Sequence, residues 1–167
     1  DKAFTYGARC NMSPDDLIGS FDAYANVRNE VTDSAVVEFL YEIKRITEEP
    51  VDAETVKNTI TNMTGSFARS LERPETVARF ALNIERYGLS KDYYRTYLER
   101  LAAVTPEGVQ RGAQAYLRPE ALHITVAGNK GEVAASLARF DADGEIDFYD
   151  AFGRKASNLE AAPEGMT

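Results

Sequence analysis

Side chains able to do chemistry are few in this chain. It holds one cysteine, Cys10, and one histidine, His123. A catalytic zinc needs three protein ligands and an open position, and a single imidazole among scattered carboxylates does not make one. One thiol gives neither a disulfide framework nor a thiolate metal cluster. A serine–histidine–aspartate triad would have to use His123, and no G-x-S-x-G elbow occurs. His123 stands in "ALHITVAG", opposite Leu122, Ile124 and Val126, and reads as a structural residue. Cys10 is expected to be a small strand residue facing the core, where free cysteine is usually found. The acidic pairs Asp15 with Asp16 and Glu48 with Glu49 read as solvated loop charges, not metal ligands. N-x-[ST] triplets at Asn11 and Asn62 read as chance, since Pro14 follows the first and a helical pattern contains the second. The expectation is no catalytic residue and no metal ligand.

The opening stretch "DKAFTYGARC" alternates as a strand does. Phe4, Tyr6, Ala8 and Cys10 share one face, and Thr5, Gly7 and Arg9 the other. Gly7 adds little to a strand but leaves room for another backbone to come close. Tyr6, by its own pattern, is an aromatic packed on the core beside Ala8 and Cys10.

The elements that position these residues follow from periodicity. A second alternating run, "LIGSFDAYANV", places Leu17, Gly19, Phe21, Ala23, Ala25 and Val27 on one face. The turn chemistry of "NMSPDD" joins the two runs into an antiparallel hairpin. The period then lengthens. Val36, Phe39, Leu40, Ile43 and Ile46 form a helical stripe, with Thr32 or Asp33 at its start and Pro50 at its end. Val56, Ile60, Met63, Phe67 and Leu71 form the next, capped by Asp52. Gly65 inside it costs about 1 kcal/mol against alanine and suggests close approach by a neighbouring element. "RPETVARFALNIERYG" opens on proline and closes on glycine, with Val77, Phe80, Ile84 and Tyr87 inward. A shorter helix is expected from Ser90, and another from Thr105 and Pro106. "ALHITVAGN" is expected to be a third strand, "GEVAASLARF" a small helix and "GEIDFYD" a short last strand. Strands and helices are segregated, so the class is α+β, an antiparallel sheet packed against a layer of helices. Residues 1–153 form the domain and 154–167 a linker.

With 167 residues and 44% of them apolar, the chain can build a core. A net charge of −8 argues against an electrostatic grip on nucleic acid or an anionic membrane. No apolar run approaches the roughly 20 residues of a membrane span.

Three stretches together resemble the pitrilysin and insulinase zinc metallopeptidases, which include the mitochondrial processing peptidases. "DKAFTYGA" is similar to the segment where an arginine precedes a tyrosine by seven residues. "EEPVDAETVKNTITNMTGSFARSLERPETVARFAL" is similar to the family's long helix and its neighbour. "AVTPEGVQRGAQAYLRPEALHITVAG" is similar to its later helix and glycine-ended strand, and "RNEVTDSAVVEFLYEIKRI" also fits. The resemblance covers Asp1 to about Gly128.

That resemblance implies a processing-peptidase-like half-domain. The H-x-x-E-H of the catalytic domain is absent, so the implied identity is the non-catalytic partner domain. It would help a zinc-bearing domain, in the same or a partner chain, enclose and orient a peptide substrate. Zinc would reside only in that paired domain, with no cofactor here. The family's half-domain has more strands and a helix before this point, so the chain is expected to be a trimmed piece that lacks the arginine. Tyr6 carries over as the substrate-binding residue, its phenol donating to a peptide carbonyl; packing on the core remains its other role. The family favours the periplasm or cell envelope. Two rival functions stand beside this one: a structural or assembly domain that kept the fold without proteolysis, and an independent peptide-binding module.

Overall fold

A computed structural model describes residues 4, 5, 7–13, 15 and 17–155 of the chain. The linker expected at its end therefore lies outside the described residues, apart from Arg154 and Lys155. The architecture is mixed and mainly helical, broadly α+β, with a small two-stranded antiparallel sheet.

The expected hairpin forms, but its first strand is displaced along the chain: residues 4, 5 and 7 stand outside any strand, and Asn11, Met12 and Ser13, expected in the turn, belong to the strand instead. Strand β1 is Ala8–Ser13 and strand β2 is Ser20–Ala25, hydrogen-bonded to each other. In β2 the alternation is visible in burial: Phe21, Ala23 and Ala25 are half-buried, while Ser20, Asp22 and Tyr24 are exposed. Leu17 departs from the inward face expected for it and stands 91% exposed. It lies ahead of the strand, where no ladder holds the pleat in register. Every residue of β1 is exposed, so Cys10 is corrected from a core residue to an exposed free thiol. A two-stranded ribbon has too little surface to cover both its faces.

Six α-helices follow among the described residues: α1 Thr32–Glu48, α2 Ala53–Ser70, α3 Pro74–Arg86, α4 Tyr97–Ala102, α5 Pro106–Tyr116 and α6 Lys130–Leu137. The α1 stripe lies inward as expected, with Val36 and Ile43 buried and Phe39, Leu40 and Ile46 half-buried. Asp52 caps α2 by accepting from the Thr55 amide at 2.8 Å. Thr105 does the same for α5 from Gly108 at 3.1 Å. At the end of α3, Gly88 takes φ +59° and the Leu89 amide donates to the Ile84 carbonyl at 3.0 Å. That left-handed turn needs a residue without a Cβ, and the returning bond satisfies a carbonyl the helix leaves open.

Four expectations are corrected. Residues 122–127 form no strand among the described residues; a short 3-10 turn, Pro119–Ala121, precedes them and Leu122 is extended at φ −82°, ψ 140°. Alternation gives a segment a face to bury, but a strand also needs a neighbour to bond. "GEIDFYD" yields only a single antiparallel bridge, Tyr149 to Lys155. The helix expected from Ser90 starts at Tyr97, after consecutive turns. There Arg100 Nη2 donates to the Tyr93 carbonyl at 2.6 Å, and the Tyr97 amide donates to Tyr94 at 3.4 Å, a 3-10-type bond in place of the α-helical one to Tyr93. On α3, Val77 is 54% exposed and Thr76 takes the buried position.

The chain divides into two compact units, and α1 contributes residues to both. One combines residues 4, 5 and 7 and Ala25–Val37 with the described residues from Ile124 onward. Its stitching is polar: Asn29 Nδ2 donates to Glu132 Oε2 at 2.8 Å, and Arg139 pairs with Asp33 at 3.0 Å. A Cβ on Gly128 would come within 3.2 Å of Asn29 Oδ1, which is why a glycine suits that place. The other unit combines Ala8–Tyr24 with Glu38–His123. Its centre is an aromatic stack running Tyr97, Phe67, Phe80, Tyr94, with centroid separations of 4.5, 5.8 and 3.7 Å in that order. Asn83 Nδ2 donates to the Tyr94 hydroxyl at 2.9 Å and fixes the end of that stack. The two Phe67 pairs fall in the 4.5–7 Å range in which such contacts add roughly 0.5–1.5 kcal/mol each beyond the area they bury.

Candidate functional site

Tyr6, the one substrate-binding residue expected from the sequence, lies outside the described residues. Its neighbours show how the backbone is arranged beside it. The Thr5 hydroxyl donates to the Gly7 carbonyl at 3.0 Å, and the Gly7 amide donates back to the Thr5 oxygen at 3.2 Å. This tight local loop uses both main-chain groups of Gly7. Gly7 is exposed, and a Cβ placed on it would meet nothing within 4 Å. The structure's own packing therefore does not require glycine there.

β1 offers a different kind of site. Among the described residues it pairs with β2 along one edge only, and all six of its residues are exposed. An open edge presents a row of amides and carbonyls with the spacing another strand needs. Arg9 and Asn11 lie along it with Cys10 between them, and Asn11 Nδ2 donates to Ser13 Oγ at 3.1 Å.

The acidic groups act within their own loops. The Leu17 amide donates to Asp15 at 3.0 Å, and this bond, with help from the Ile18 amide and the Arg86 guanidinium at 3.5 Å, holds the Asp15 carboxyl below the usual carboxylate range. Asp15 thus shapes the hairpin loop and ties it to the end of α3. Its neighbour Asp16 is outside the described residues. Glu48 pairs with Lys44 on α1 at 3.5 Å, and Glu49 is exposed just beyond the helix end. Farther along, Asp143 accepts from the Glu145 amide at 2.8 Å, the main reason its carboxyl is held low. His123 is exposed and stands apart from these carboxylates in the sequence.

Among the described residues no group of three or more histidine, cysteine, aspartate or glutamate side chains is arranged to hold a metal ion. The described residues therefore bring together no donor set that fits a zinc centre. Among them, too, no helix is long and apolar enough to cross a membrane.

The sequence pattern missed the apolar exposure of the hairpin loop, where Ile18 is 82% exposed beside Leu17. The signal that could have found it is the turn-forming "SPDD" directly before them, which places both in a loop and not in the strand. No family model matches the chain, and no curated protein matches it.

Proposed function

We propose that this chain is a non-catalytic partner domain of a zinc metallopeptidase, helping a zinc-bearing domain in the same or another chain enclose and orient an extended peptide. The observation that carries this reading is the open, wholly exposed edge of β1. An extended peptide adds to such an edge as a further strand, its main chain giving affinity and its alternate side chains giving selectivity. The processing-peptidase-like half-domain belongs to the same proposal, and the hairpin followed by amphipathic helices supports it. Tyr6 is proposed to bind substrate through its phenol, and the zinc belongs to the partner domain alone. The periplasm or cell envelope is the proposed compartment.

A 15N-labelled sample of the chain tests the reading. The probe is a short soluble peptide of alternating valine and threonine with terminal lysines, chosen because the chain carries a net charge of −8. Amides of β1 are expected to shift and gain protection from hydrogen exchange as peptide is added. Saturating peptide that leaves β1 unperturbed would overturn strand addition.

A structural or assembly role, keeping the fold without proteolysis, is the second reading. Leu82 on α3 is 69% exposed and Val77 on the same helix 54%. The two lie five residues apart, about 140° around the helix, and so stand as separate apolar side chains and not as one patch. Peptide binding at β1 separates the two readings, because an assembly domain has no need of it.

A further inference from the structure

We draw no further inference here: the strongest candidate, the exposed apolar pair Leu17 and Ile18 in the loop of the β1–β2 hairpin, carries nothing because nothing in the structure shows what covers it.

Discussion

Gln114 Nε2 donates to the Thr47 carbonyl at 2.8 Å, joining residues 67 positions apart in the chain. Gln110, one turn earlier on α5, donates to the Glu48 carbonyl at 2.8 Å. Two amides of one helix thus cap the carbonyls that α1 leaves open at its end. A helix end carries four such carbonyls, and Pro50 prevents the backbone from satisfying them by continuing the helix.

Replacing Gln114 with alanine should lower stability by about 0.5–1.5 kcal/mol, the net worth of one such bond. Gln114→Glu should cost more than Gln114→Ala, because it removes the donor and sets a negative charge against the negative end of α1. Urea midpoints of the two variants, followed by helical circular dichroism, check the order. Equal midpoints for Gln114→Glu and the parent chain would show that the capping bond contributes nothing.

Gly65→Ala should stabilise the protein. The Cβ it adds meets only Arg69 Nη1, at 3.4 Å, the flexible end of a side chain on the same helix. The neighbouring element that the sequence suggested would approach there is not found at that point. The gain should be about 0.5–1 kcal/mol, from helix propensity and a less flexible unfolded chain. A lower thermal midpoint for this variant would mean that an unseen contact needs the glycine.

Stability should fall on the acid side through Asp52. The Thr55 hydroxyl, and then the Thr55 amide, hold its carboxyl below the ordinary value of 3.8. A carboxyl lowered in the folded state binds fewer protons there than in the unfolded chain. Its stabilisation is therefore fully present above the unfolded value and disappears as pH falls through the folded one. Asp15, Asp92, Glu107 and Asp143 are lowered too and act in the same direction. Asp52→Asn keeps a good cap but removes the titration. Denaturant midpoints from pH 6 down to pH 2 (the range spanning both forms) should drop less steeply for this variant; an identical slope would rule out the Asp52 contribution.

Tyr6→Phe tests the proposed substrate contact in an active complex with the zinc-bearing domain. If the phenol donates to a carbonyl that gains charge, kcat should fall by roughly 10- to 1000-fold, the scale of a lost oxyanion donor. KM should move less than kcat, because the interaction strengthens only as charge develops. If Tyr6 only packs in the fold, kcat stays unchanged and stability drops by about 1 kcal/mol. Measuring both on one preparation separates the two roles.

Local chemistry made much of this protein legible in its sequence. The inward stripe of α1, the Asp52 cap, the glycine turn after α3 and the alternation of β2 stand where the residues place them. Each depends on neighbours a few positions away, and sequence order already holds those neighbours. What tertiary structure decided depends on partners far along the chain. Residues 122–127 carry a strand's pattern but form no strand among the described residues, since a ladder requires a second strand. Cys10 lies outward on a ribbon that has two strands among the described residues. Thr76, not Val77, is buried on α3, and where α4 begins the Tyr97 amide bonds to Tyr94 and not to Tyr93. The type and position of Tyr6 come from the sequence and its family resemblance alone, because its side chain lies outside the described residues. Period and caps report which face a segment would bury; only the assembled chain supplies the surface that buries it.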